Sequence, residues 1–136
     1  MTDNEKRELC LKAVNAMNSS YSPYSGFKVG AALLCDDGTV YLGCNIENSA
    51  YSPTVCAERV AVFKAVSDGK REFDAIAVAG GHGGIVNGAV TPCGVCRQVL
   101  AEFVDGGFTV LLVKSPDGDY EELTAEGLLP RSFSLK

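Results

Sequence analysis

Cys56-Ala57-Glu58 and Pro92-Cys93-Gly94-Val95-Cys96 are separated by a gap in which Pro92 follows Glu58 by 34 residues. Between them they supply three thiols and a carboxylate, a set that has a use only if the fold brings both segments to one point. Three protein ligands leave a tetrahedral zinc with one open position, the arrangement of a catalytic rather than a structural site. A carboxylate two residues from a ligand can serve a metal-activated water without binding the metal. The combination reads as hydrolytic zinc chemistry, with Cys56, Cys93 and Cys96 as ligands and Glu58 as the proton shuttle. Any fold for this chain must therefore place two helix starts side by side.

The helix starts are read from the flanking residues. Ser52-Pro53 precedes Cys56 and Thr91-Pro92 precedes Cys93. A hydroxyl residue suits the N-cap, and proline at the first helical position loses no intrahelical hydrogen bond. All three cysteines then fall in first turns, where free backbone N–H groups and the positive helix end favour thiolate. Zinc with three thiolates carries a net charge of −1, so the site needs positive potential from elsewhere. Arg59, beside Glu58, is expected to donate to a cysteine sulfur; its alternative is a solvated surface arginine.

The remaining chain reads as alternating helices and strands. A helix is expected over about Asn4 to Asn18, with Leu9, Ala13, Ala16 and Met17 on one face and Asp3 or Asn4 as cap. Phe27–Cys35 and Thr39–Ile46 are strand-like, and Asp36-Asp37-Gly38 between them signals a hairpin. A helix over Thr54–Ser67, a strand over Phe73–Ala79, a helix over Cys93–Val104 and a strand over Phe108–Lys114 follow. A short strand near Tyr120 and a helical turn over Thr124–Leu129 precede the tail. Gly80–Ala89 holds five glycines and reads as a loop, with the single histidine, His82, exposed in it. This order implies one α/β domain, residues 1–136, with helices on both faces of a sheet.

Composition narrows the partners. A net charge of −5 without a basic run argues against a polynucleotide, though not against a nucleoside. No apolar run approaches the ~20 residues of a membrane span. The polar, acidic start Met1–Glu5 does not resemble a secretory signal, so a reducing cytoplasm is expected, where paired cysteines more often hold metal than form disulfides. Cys10, Cys35 and Cys44 stand outside the motifs in apolar or strand-like settings and read as buried structural residues.

From Tyr21-Ser22-Pro23-Tyr24-Ser25 to Leu128-Leu129-Pro130 the chain resembles the small, homotetrameric, three-cysteine cytidine deaminases. The resemblance is carried by Phe27-Lys28-Val29-Gly30-Ala31-Ala32, Gly43-Cys44-Asn45-Ile46-Glu47-Asn48, Cys56-Ala57-Glu58-Arg59 and Pro92-Cys93-Gly94-Val95-Cys96-Arg97-Gln98. The zinc deaminase pattern of a ligand-x-Glu followed by Pro-Cys-x-x-Cys is itself a known one. The resemblance implies a three-layer α/β/α fold with a mixed five-stranded sheet and one zinc per subunit. It implies hydrolytic deamination of cytidine and 2′-deoxycytidine in a homotetramer with shared sites.

By position, the resemblance puts Asn45 and Glu47 on the ribose hydroxyls and Phe27 on the pyrimidine ring. Main-chain groups of Ala57 fall at the pyrimidine edge. Ser49, Tyr51 and Phe133 fall where a neighbouring subunit approaches the nucleoside; Ser49 stands where alanine is frequent. Taken alone, Asn45 and Glu47 also suit a turn and a solvated surface, Phe27 also suits the core, and Tyr21 and Tyr24 read as packing residues. Three other readings stay open at this point: a structural zinc module with Cys44 as fourth ligand, a redox protein using Cys93 and Cys96, and a deaminase of another base.

Overall fold

The computed structural model describes residues 1–136. Helix α1 spans Asp3–Ala16, followed by a 3-10 turn over Met17–Ser19. Strands β1 (Phe27–Cys35) and β2 (Val40–Cys44) form a hairpin, and α2 covers Ala57–Ser67. Strand β3 (Phe73–His82), helix α3 (Gly94–Phe103), strand β4 (Thr109–Val113), strand β5 (Tyr120–Thr124) and the short α4 (Ala125–Leu128) complete the chain.

The α1 start differs from expectation. Thr2, not Asp3 or Asn4, is the N-cap: its hydroxyl accepts from Glu5 N at 3.1 Å while the Glu5 carboxylate accepts from Thr2 N at 2.9 Å. This reciprocal box satisfies two donors that the first turn leaves free. Strand β3 runs three residues past its expected end. Gly80, Gly81 and His82 pair with Val29, Lys28 and Phe27, so a segment whose glycines read as loop is drawn into the sheet by its β1 partner. His82 is exposed as expected, but at a strand end.

The five strands lie in the order β2-β1-β3-β4-β5. Only β3 and β4 are parallel; the other pairs are antiparallel, so the sheet is mixed. A parallel pair needs a crossover, and α3 lies in it. Side chains alternate between two cores. On β3, Ala75, Ala77 and Ala79 face α1, while Ile76 and Val78 face α2 and α3; on β4, Leu111 and Val113 share the first side and Val110 and Leu112 the second. Each fully buried Leu, Ile or Val contributes ~1.5–3 kcal/mol. The three-layer α/β/α expectation holds.

Two glycines set how closely the helices approach the hairpin. A Cβ at Gly30 would stand 2.1 Å from Ala13 O of α1, and one at Gly43 would stand 2.2 Å from Ala57 O of α2. The second contact matters most here, because Ala57 is the first residue of the helix that carries Glu58.

Candidate active site

Both cysteine-bearing helices begin later than their flanking prolines suggest. Cys56 is the N-cap of α2 (φ −78°, ψ 155°) and Cys93 the N-cap of α3 (φ −66°, ψ 164°). Ser52-Pro53 and Thr91-Pro92 therefore sit in the approach, not at the cap and first helical position. For α2 the cause is a bridge: Ile46 and Val55 exchange both main-chain hydrogen bonds at 3.0 Å, which holds the chain extended up to the residue before Cys56. For α3 the cap is the sulfur itself, Cys93 Sγ accepting from Cys96 N at 3.4 Å.

The two helix starts converge. The Cys56, Cys93 and Cys96 sulfurs lie within 4.8 Å of one another, with Cys56–Cys93 at 3.6 Å and Cys93–Cys96 at 3.4 Å. Sulfurs sharing a tetrahedral zinc at about 2.3 Å stand about 3.8 Å apart, so the donor set fits that ion with little adjustment. Arg59 donates from Nη2 to Cys56 Sγ at 3.5 Å, as expected of a group that offsets thiolate charge. Its Nε is buried without a partner.

Cys44 does not join them. Register pairs it with Gly30, which faces α1, so its side chain lies across the sheet from α2 and donates to Ser19 O at 3.3 Å. That removes the four-cysteine structural module. Cys44 is also only half-buried, unlike Cys10 and Cys35, which are buried as expected. The redox reading fares no better, since the Cys93–Cys96 pair is joined by a third thiol and by a buried carboxylate.

Charge in the cluster follows from crowding. Hydrogen bonds from Cys96, Arg59 and Cys93 lower the Cys56 pKa, while the hydrogen bond to Cys56 and then burial, with the nearby negative charge adding to them, raise that of Cys96. Hydrogen bonding to Cys56 in turn holds Arg59 more firmly in its charged form. Glu58 is 4% exposed. Burial, with the Cys56 charge adding to it, raises its pKa to about 7. A carboxyl poised there can both accept and return a proton near neutral pH.

Beyond the metal cluster, Asn45, Ile46 and Glu47 form the middle rung between the Tyr21 loop and Val55. Tyr21 N donates to Asn45 O at 3.0 Å and Glu47 N to Tyr21 O at 2.8 Å. Asn45 and Glu47 flank Ile46, so alternation puts them on a common face, as expected. The Asn45 amide is heavily used: Oδ1 accepts from Val29 N at 2.9 Å and from the Ser20 hydroxyl, and Nδ2 donates to Phe27 O at 2.8 Å. One N–H of the amide is left free to donate. Glu47 accepts from Tyr24 N at 3.0 Å, Ser25 N at 3.1 Å and Ser25 Oγ at 2.5 Å. Those bonds, the Ser25 hydroxyl foremost, lower its pKa and keep it an ionised acceptor.

Phe27 is half-buried and packs edge-to-face on His82, centroids 4.9 Å apart. Glu47, Tyr51 and Tyr24 line a shared cleft of about 370 Å³. Tyr51 is 75% exposed and takes φ +61°, a left-handed conformation that costs a β-carbon-bearing residue about 1 kcal/mol or more. Ser49 is exposed nearby. Phe133 is 69% exposed, and its carbonyl accepts from Gln98 Nε2 at 3.0 Å. Within one chain, then, the metal cluster is assembled and the tail aromatic is not packed. Ser20, Ser22 and Ser25 were not singled out in the sequence, although a run of hydroxyls immediately precedes the Phe27 strand.

An open three-sulfur site beside a buried carboxylate, on an α/β/α sheet, defines a zinc-dependent hydrolytic enzyme. The model of the cytidine and deoxycytidylate deaminase zinc-binding region matches residues 3–111. The chain is 55% identical over 127 residues to a cytidine deaminase of Sporosarcina psychrophila, covering 93% of this chain and 90% of that one. It is 45% identical to the cytidine deaminase of Halalkalibacterium halodurans, over 97% and 96% of the two chains. The solved cytidine deaminase of Burkholderia pseudomallei superposes with a TM-score of 0.85 at 44% identity, covering 98% of this chain and all of that one. This chain belongs to the cytidine and deoxycytidylate deaminase family.

Proposed function

We propose that this protein is a single-domain, zinc-dependent deaminase that converts cytidine and 2′-deoxycytidine to the corresponding uridines, releasing ammonia. The observation that carries the reading is the convergence of three sulfurs at two helix starts with Glu58 buried two residues from one of them. Cys56, Cys93 and Cys96 hold one zinc per subunit, and Arg59 offsets the charge of the thiolates. When bound, zinc supplies the Lewis acidity that makes water a nucleophile at neutral pH.

Glu58 then carries the protons. It accepts one as water adds to C4 of cytosine and passes it to N3. It then takes the remaining proton from the new C4 hydroxyl and delivers it to the exocyclic nitrogen, which departs as ammonia as the C4–N bond breaks and the C4 carbonyl forms. One water is consumed per ammonia released. Main-chain groups at the start of α2, Ala57 among them, are free to meet the pyrimidine edge because a first turn leaves its N–H groups without helical partners. Phe27 packs against the base. Asn45 as donor and Glu47 as acceptor together bracket ribose hydroxyls.

The exposed Tyr51, Ser49 and Phe133 support completion of the site by neighbouring subunits, and a homotetramer is the assembly the family resemblance favours. A free nucleoside substrate fits the acidic chain, and no helix is long and apolar enough to cross a membrane. The role is cytoplasmic pyrimidine salvage. Ammonia release should be measured against cytidine, deoxycytidine, free cytosine, adenosine and a cytosine-containing RNA. Turnover of the first two alone is expected; turnover of cytosine or RNA with none of cytidine would refute the assignment.

A further inference from the structure

The loop before β1 has no part in the function above, yet its polar groups meet both arms of the proposed nucleoside site. Gly26 N donates to Ser22 O at 3.0 Å, closing a turn around Pro23, and Gly26 takes φ +69°. The turn aims the N–H groups of Tyr24 and Ser25 at one oxygen of Glu47. The Ser25 hydroxyl donates to the other oxygen at 2.5 Å and accepts from Phe27 N at 3.0 Å. One hydroxyl thus joins the carboxylate proposed for the sugar to the main chain of the ring proposed for the base.

The geometry points to Ser25 as a positioning residue that fixes the spacing between Phe27 and the Glu47 carboxylate, and so selects for nucleosides that present ribose hydroxyls. This rests on the sugar-binding reading of Glu47. A carboxylate that already accepts three hydrogen bonds has lost its rotational freedom before the ligand arrives, and binding need not order it again. Without the hydroxyl, one carboxylate oxygen is free to swing and Phe27 N loses its partner at the first residue of β1. Glu58 and the sulfurs stand on α2 and α3, whose caps do not involve Ser25, so the cost falls on binding rather than on the chemical step.

The test is steady-state kinetics of the zinc-loaded enzyme with cytidine and with 2′,3′-dideoxycytidine. Ser25→Ala should raise KM for cytidine about tenfold, the loss of a hydrogen bond to a charged group. It should leave kcat within about twofold and zinc content unchanged, because the metal and Glu58 are elsewhere. KM for the dideoxynucleoside, which offers Glu47 no ring hydroxyl, should not move. Ser25→Thr should restore the cytidine KM and Ser25→Val should not; this isosteric pair decides the matter if the alanine variant does not fold. Combined with Glu47→Gln, the loss should be less than additive. An unchanged KM in Ser25→Ala and Ser25→Val, with KM raised in Glu47→Gln, overturns the positioning role alone. An equal rise for both nucleosides overturns it too. If Glu47→Gln also leaves KM unchanged, the sugar-binding reading falls and takes this inference with it.

Discussion

The starts of α2 and α3 are nearly the same piece of backbone. Each has a cysteine at the N-cap in extended conformation and a sulfur facing the other helix. Their surroundings differ. Ala57 and Glu58 at the α2 start are buried, with Ala57 pressed against Gly43 of the edge strand, whereas Cys93, Gly94 and Val95 at the α3 start are exposed. The sulfur of Cys93 is held by its own helix, through Cys96 N, while that of Cys56 is held by a guanidinium. The lesson is that a shared local geometry is divided by burial into two tasks. The exposed start brings two of the three clustered sulfurs and faces solvent; the buried start brings the third and a carboxyl whose pKa is lifted to about 7.

That division predicts unequal responses. The largest belongs to α3: Cys93→Ala with Cys96→Ala removes two of three ligands, so metal analysis should fall from near one zinc per chain to none, with activity lost. Zinc retained by the double variant would break the ligand assignment. Arg59→Ala should follow on the α2 side. Removing a partner of a metal ligand typically costs about 10–100-fold in metal affinity, and competition with a chelator reads it. An affinity equal to the parent's would return Arg59 to the status of a surface residue.

The α2 start should also be sensitive from behind. Gly43→Ala places a methyl only 2.2 Å from Ala57 O, so the helix must shift. A destabilisation of about 1–3 kcal/mol is expected from such overpacking, read by thermal denaturation, and zinc affinity should drop with it. The smallest effect concerns the tail. Phe133→Ala should raise KM for cytidine modestly, since aromatic stacking is worth about 1 kcal/mol, and leave bound zinc as it was. Light scattering tests the assembly: a fully active monomer would remove the neighbour from the site.

What the sequence made legible divides along the same line. The Asp36-Asp37-Gly38 turn and the full extent of β1 were readable because they are local, with Gly38 at φ +90° closing the hairpin. The convergence of the three thiols was readable because spacing and residue type limit what three cysteines and a glutamate can do together. The helix caps were misplaced because Ser-Pro and Thr-Pro are genuine start signals, overridden at α2 by the pairing of Ile46 with Val55, which no local pattern announces. The extension of β3 through Gly80 and Gly81 was hidden for the same reason, being imposed by β1. Cys44 looked like Cys10 and Cys35 until register put it on an edge strand. The serines of the Tyr21 loop stayed unread because their partners, Asn45 and Glu47, lie more than twenty residues further along.

The claim that the buried helix start moves protons while the sulfurs hold the metal is tested most directly by one variant measured two ways. Glu58→Gln keeps the shape of the side chain and removes its capacity to carry a proton. Bound zinc and kcat for cytidine should be determined on the same preparation. The account predicts close to one zinc per chain and a kcat reduced by at least about 10²–10⁴-fold, the range of a lost general acid–base. Near-parental turnover with zinc in place, or loss of zinc together with turnover, would contradict it.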